Sequence, residues 1–215
     1  MRRTTRESKR HGGAGISVKS DFVSPHPKLI LASASPRRQD LLRNAGIAFT
    51  VEAANIDESP LAGESPRECA ERLAREKALA ISRKHPQDFV LGADTIVVVD
   101  GAMLGKPCDQ ADAARMLRML AGRKHEVITG VCVVAPVASG RISMGSEITV
   151  VTMADLTEDE IREYSTSGEP MDKAGGYAIQ GIASRWVSRI EGDYCNVMGL
   201  PVARVYRMLR ELEAI

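Results

Sequence analysis

The chain predicts an α/β protein built on a mixed sheet. Short apolar runs of strand length alternate with helical stretches opened by Ser, Thr or Asp caps. Strands and helices intermix without strict βαβ repetition, and no internal repeat is visible, which argues against an all-parallel sheet.

Each element has its own signal. Lys28–Ser33 (KLILAS) reads as a first buried strand. Ser35-Pro36-Arg37-Arg38 opens a helix with Ser35 as N-cap and Pro36 at the first helical position, and Gly46 stops it. Phe49–Ala53 is a second strand, followed by the acidic loop Asn55-Ile56-Asp57-Glu58. Ser65 and Glu68 form a capping box for a long helix through Leu73, Lys77 and Ile81. Phe89–Leu91 and Ile96–Val99 read as strands on either side of Gly92-Ala93-Asp94-Thr95, and Asp100-Gly101 as a hairpin turn. Asp109 caps a helix running to Leu120 and ending at Gly122. Val127–Ala135 and Glu147–Ala154 are β-rich stretches separated by the turn at Ser139-Gly140. Thr157 and Glu160 make a second capping box for a helix that ends at Ser167-Gly168. Arg185–Ile190 is a further strand, and Pro201–Leu212 a terminal amphipathic helix.

Composition narrows the function classes. With 44% hydrophobic and 27% charged residues among 215, the chain has the balance of a globular protein. Residues 1–27 carry six basic and two acidic groups, whereas the rest is mildly acidic, 23 basic against 26. A mildly acidic body with eight aromatics suits neither duplex DNA nor a stacking platform for single strands, so no stable nucleic-acid partner is expected. No run approaches a membrane span. Residues 1–27 lack the apolar stretch of a secretory signal and read as a disordered basic extension ahead of one domain, 28–215; a basic nucleic-acid arm is the other reading. Cys69, Cys108, Cys132 and Cys195 are scattered, which fits a reducing cytoplasm rather than a zinc site or disulfides.

Three segments can carry chemistry. At Ser33-Ala34-Ser35-Pro36-Arg37-Arg38 a strand end meets a helix N-terminus, with two hydroxyls and two guanidiniums that suit a phosphate. The same residues also read as an ordinary cap with two solvent-facing arginines. Asp94 lies inside the most apolar part of the chain, where a carboxylate must be paired, metal-bound or protonated; a structural Asp at a bend is the plainer reading. Lys106, in Gly105-Lys106-Pro107, could meet a phosphate as a point charge, although Pro107 rules out a Walker A loop. In Glu169–Gly181 the glycines allow close backbone approach, and Gln180 offers a donor and an acceptor to a base edge. A turn-rich linker there, and a solvated helix face for Lys77, are the alternatives.

Together these segments resemble the Maf family of nucleoside-triphosphate pyrophosphatases. The likeness runs from Leu29 to Leu209 through S-x-S-P-R-R at Ser33–Arg38, R-L-A-x-x-K-A at Arg72–Ala78 and G-A-D-T at Gly92–Thr95. It continues through G-K-P at Gly105–Pro107, H-x-V-x-T-G-V at His125–Val131, D-K-A-G-x-Y-x-I-Q-G at Asp172–Gly181 and G-L-P at Gly199–Pro201. The resemblance implies an elongated mixed sheet with flanking helices and two lobes around a central cleft, as in inosine-triphosphate pyrophosphatases. It implies metal-dependent hydrolysis of a nucleotide to its monophosphate and pyrophosphate, by a homodimer, with Mg²⁺ or Mn²⁺. On that pattern Asp94 is the general base and, with Glu58, a metal ligand. Ser33, Ser35, Arg37, Arg38, Lys77 and Lys106 bind phosphate, and Arg37, Thr95 and Gln180 set specificity. The D-K-A-G-x-Y-x-I-Q-G version looks like the subgroup acting on dTTP and UTP, with modified pyrimidine nucleotides as a further task. The alternatives are the family's 7-methyl-GTP subgroup and a non-catalytic nucleotide sensor of septum formation.

Overall fold

Among the described residues, 27–215 of the computed structural model, the apolar runs assemble into one seven-stranded sheet. Its strands are β1 (Leu29–Leu31), β2 (Thr50–Val51), β3 (Phe89–Val99), β4 (Ala102–Leu104), β5 (Lys124–Val134), β6 (Ile142–Met153) and β7 (Val187–Glu191). The lateral order is β2-β1-β3-β5-β6-β7, with β4 paired to β3. β1 runs parallel to β2 and β3 and the remaining pairs are antiparallel, so the sheet is mixed. The helices are α1 (Pro36–Asn44), α2 (Pro66–Ser82), α3 (Gln110–Leu120), α4 (Glu158–Thr166), the single turn α5 (Tyr194–Val197) and α6 (Val202–Glu211). None of these helices is long and apolar enough to cross a membrane. The expected basic extension lies, through residue 26, outside the described residues.

Local chemistry sets most helix starts. Ser65 Oγ accepts the Glu68 N–H while the Glu68 carboxylate accepts the Ser65 N–H, and Thr157 with Glu160 repeats the arrangement. Each such cap contributes about 1 kcal/mol. Ser35 departs from expectation: Pro36 does follow it, but the Ser35 side chain makes no capping hydrogen bond. The first-turn N–H groups of α1 are therefore left without a side-chain acceptor.

Several expected elements change, and the stretch expected to begin at Glu147 is a strand from Ile142. Phe49–Ala53 shortens to the exposed pair Thr50–Val51, and the last strand starts at Val187 because Ile182–Arg185 takes a 3₁₀ turn. Helix α5 was not expected; Asp193 caps it by accepting the N–H groups of Cys195 and Asn196. The two strands expected around Gly92–Thr95 are the single strand β3, because this stretch stays paired with β5, Gly92 opposite Cys132 and Asp94 opposite Gly130. Gly92 serves close packing and not a bend. A Cβ there would lie 2.1 Å from the Ala74 carbonyl oxygen, and one on Gly130 would lie 2.2 Å from that of Ala70. Ala70, Ala74 and Ala78 recur at one-turn spacing along α2, so small residues on both partners bring the helix backbone down onto the sheet.

The alternation of β3 then divides the core by face. Leu91 and Ala93 pack with Leu42, Leu200 and Leu209, and farther along the same face Val97 and Val99 pack with Leu117, Leu120 and Tyr164. On the opposite face Val90 packs with Ala74 and Ile81, and Ile96 and Val98 with Ala70 and Leu73. Asp94 and Thr95 interrupt the apolar pattern where these clusters meet. Here the sheet is also uncovered. β1 pairs with β3 only as far as Leu91, and β4 begins opposite Val97, so Gly92–Ile96 have one open edge.

Candidate active site

The open edge of β3 forms the floor of a cleft of about 460 Å³. The chain leaving β1 brings Ser33, Ser35, Arg37 and Arg38; the loop before α2 brings Glu58; α2 brings Lys77; and the segment after β4 brings Lys106. β3 itself contributes Asp94 and Thr95, and the turns of 169–181 contribute Asp172, Lys173 and Gln180. The ten site residues singled out from the sequence thus line one cleft.

Three clusters organise it. At the floor, Lys77 Nζ lies 2.6 Å from Asp94 Oδ1 and 2.6 Å from Glu58 Oε1. Lys77 is 6% exposed and Asp94 8%, so this lysine is not on a solvated helix face. A buried ammonium between two carboxylates is compensated, and removing one partner would leave a costly charge behind. Burial pushes the Glu58 carboxyl up, but the Lys77 hydrogen bond and the Lys77 and Lys106 charges outweigh it and hold the group below the usual carboxylate range. Glu58 is therefore ionised at neutral pH. The close seating of α2 on Gly92 and Gly130 is what delivers Lys77 to Asp94, two residues along the strand from Gly92.

The donor set fits a hard divalent cation. Asp94 and Glu58 converge on one cationic centre, and Asp94 Oδ2 accepts no hydrogen bond among the described residues. Also among those residues, no group of three or more His, Cys, Asp or Glu could hold a metal. Two carboxylates are what Mg²⁺ takes where substrate phosphates and waters complete its octahedron.

The second cluster surrounds Arg38, which is buried rather than solvent-facing. Its Nε donates to the Gly199 carbonyl at 2.7 Å, Nη1 to Ser33 Oγ at 3.1 Å and Nη2 to Thr95 Oγ1 at 3.0 Å. Burial lowers its pKa from the ordinary arginine value. Thr95 Oγ1 also lies 3.0 Å from Thr129 Oγ1, which donates to the Asn196 carbonyl. A polar chain thereby fixes Arg38 and Thr95 from beneath.

The third cluster spans the cleft. Arg37 Nη1 donates to Asp172 Oδ2 at 2.8 Å and Nη2 to the Asp172 carbonyl at 3.0 Å, tying α1 to the 169–181 turns. Lys173 Nζ holds the other Asp172 oxygen. Burial raises the Asp172 pKa, but hydrogen bonds from Lys173 and Arg37 win and keep it below the usual range. Gly175, at φ +71°, seats this turn against Val97 and donates its N–H to the Gly105 carbonyl beside Lys106. Asp172 and Lys173 fall inside a motif that the sequence marks out, but neither was given a site role; the signal was there, in adjacent charges ahead of a glycine turn. Gln180 is exposed at the cleft and makes no hydrogen bond among the described residues.

Five cations (Arg37, Arg38, Lys77, Lys106, Lys173) face three carboxylates (Glu58, Asp94, Asp172), a net positive lining suited to a polyanion. Against this geometry, the model of the family described as "Maf-like protein" matches residues 28–212. The chain is 59% identical over 182 residues to a dTTP/UTP pyrophosphatase of Koribacter versatilis (strain Ellin345), covering 85% of this chain and 93% of that one. It is 52% identical to a dTTP/UTP pyrophosphatase of Symbiobacterium thermophilum, covering 86% and 93%. Among solved structures, a HAM1 protein from Coxiella burnetii shares the fold, with a TM-score of 0.50 at 16% identity over 88% of this chain and 100% of that one.

Proposed function

The chain belongs to the Maf family, and from that premise we propose that it hydrolyses dTTP and UTP to the nucleoside monophosphate and pyrophosphate. The observation that carries the reading is Lys77 held between Asp94 and Glu58 at the floor of a net-cationic cleft. Relatives named dTTP/UTP pyrophosphatase, 59% and 52% identical to this chain, support the substrate class.

In this reading the triphosphate lies along Arg37, Lys106 and Lys173, with the free N–H groups of α1 beside Ser33 and Ser35. Asp94, near the reacting centre, accepts a proton from the water that attacks the α-phosphorus. The bond from the α-phosphorus to the bridging oxygen breaks, and pyrophosphate leaves with the electron pair. Arg37, Arg38, Lys77 and Lys106 oppose the charge that grows on that oxygen, so catalysis is largely positioning and electrostatics. Asp94 and Glu58 would hold Mg²⁺ or Mn²⁺, which supplies further neutralisation of the phosphate oxygens when bound. Lys77 must then share its carboxylates and turn toward phosphate.

Base selection falls to Gln180, with Arg37 and Thr95. Uracil and thymine present two carbonyls flanking one N–H, and a carboxamide can donate to one carbonyl while accepting the N–H. Cytosine replaces the C4 carbonyl and the N3–H with an amino donor and a bare N3 acceptor and keeps only the C2 carbonyl. A Gln180 amide held by the bound nucleotide in the orientation that suits uracil therefore loses both bonds. Assaying pyrophosphate release from dTTP, UTP, CTP, GTP and 7-methyl-GTP, with and without Mg²⁺, tests the reading. The expected result is metal-dependent release led by dTTP and UTP, with CTP at least about tenfold lower in kcat/KM, the worth of one paired edge. Gln180→Ala should narrow that gap. Equal rates on CTP and UTP would remove Gln180 from base selection, and silence on every nucleotide would remove the hydrolytic reading.

The reading extends to a homodimer in a reducing cytoplasm. Exposed Ile142, Met144 and Ile148 along one face of β6 support the first, and four unpaired cysteines the second.

A further inference from the structure

Glu58 reaches the cleft from a 14-residue stretch, 52–65, that has no regular secondary structure and is mostly exposed. A carboxylate on such a loop would sample many positions unless the backbone beside it is fixed, because ordering each residue costs conformational entropy. Ala54 and Ile56 pack against the core ahead of Glu58. Beyond it, the fixing is polar and converges on one side chain. Arg72 of α2 donates Nη2 to the Ser59 carbonyl at 3.1 Å, the residue next to Glu58. It also grips Glu64 with two bonds, Nε to Oε1 at 2.6 Å and Nη2 to Oε2 at 2.9 Å. Glu64 in turn accepts the Leu61 N–H at 3.1 Å, and the Glu64 N–H donates back to the Leu61 carbonyl. Ser59 donates its own N–H to Asp57 Oδ1 on the other side of Glu58. The Glu64 side chain is only 9% exposed, and its hydrogen bond from Arg72 draws its pKa down to about 2.

We infer that Arg72 is a positioning residue: through the Ser59 carbonyl and Glu64 it holds the loop so that the Glu58 carboxylate stays on the Lys77–Asp94 pair. It touches neither substrate nor metal in this assignment. The planar fork matters as well as the charge, since one guanidinium serves two carboxylate oxygens and a carbonyl at once. The inference rests on the reading of the cleft as a metal-assisted triphosphate site. It adds a residue outside the cleft whose loss should be felt chiefly as a loss of metal affinity.

The test uses Arg72→Lys and Glu64→Gln in the full chain, beside Glu58→Ala. Mn²⁺ binding is followed by electron paramagnetic resonance with a nonhydrolysable UTP analogue, and Leu61 amide exchange by mass spectrometry. Both variants should weaken Mn²⁺ binding about 10- to 100-fold, the usual cost of losing a group that orients a metal ligand. At saturating metal, kcat should recover to within a few-fold. Exchange in 57–64 should quicken, and Arg72→Lys combined with Glu58→Ala should be no worse in Mn²⁺ binding than Glu58→Ala alone. Unchanged Mn²⁺ affinity in a folded Arg72→Lys protein, or full additivity with Glu58→Ala, overturns the positioning role while leaving the hydrolytic reading standing. A wild-type protein that hydrolyses no triphosphate overturns both.

Discussion

Asp94→Asn is expected to give a folded protein whose turnover falls about a thousand-fold or more, the loss that removal of the proposed general base would cause. Asn keeps the shape of Asp, and Lys77 retains Glu58 as a charged partner, so the floor of the cleft does not collapse. What disappears is the proposed acceptor for the water proton and one of the two carboxylates that fit a divalent cation. The check is paired: steady-state kcat with dTTP at saturating Mg²⁺, and a thermal melt. A melt within a few degrees of wild type with kcat reduced as stated is the expected outcome. A near-normal kcat would take Asp94 out of the chemistry.

Gly92→Ala is expected to act on the fold with comparable force. The new Cβ would sit 2.1 Å from the Ala74 carbonyl oxygen and 2.8 Å from the Ala78 nitrogen. Both obstacles are helix backbone, which cannot rotate away as a side chain can. Helix α2 must lift from the sheet, and one added methyl costs more than about 3 kcal/mol, beyond the usual range for overpacking. Lys77 would be drawn off Asp94 by the same movement. Gly105→Ala is the control, since nothing lies within 4 Å of its Cβ position, and it should leave the denaturation midpoint nearly unchanged. A Gly92→Ala protein as stable as wild type would show that α2 is not seated against Gly92.

The contrast between these two positions shows which features were legible in the sequence. Helix starts at Ser65, Asp109 and Thr157 depend on bonds three residues long, so the sequence carries them almost whole. The cleft residues could be chosen because Ser, Arg, Lys and Asp at those motif spacings are chemically distinctive. Gly92, by contrast, reads locally as a break, and only the helix packed across it explains the glycine; the continuity of β3 therefore stayed hidden. The open edge that makes the cleft was equally out of reach, since it depends on where β1 stops and β4 begins along a strand distant in sequence from β1. For Arg38 a solvent-facing reading stood beside the phosphate-binding one because its acceptors include Thr95 and Gly199, 57 and 161 residues away. Arg72 lay within a recognised motif, yet its link to Glu58 runs through a loop that carries no pattern.

In the proposed reaction water attacks the α-phosphorus, not the β- or γ-phosphorus. A single turnover of UTP in oxygen-18 water tests it most directly, with the label located in the products by mass spectrometry. One labelled oxygen in UMP and none in pyrophosphate is the expected result. Label in pyrophosphate, or in released orthophosphate, would place the attack on the β- or γ-phosphorus and contradict it.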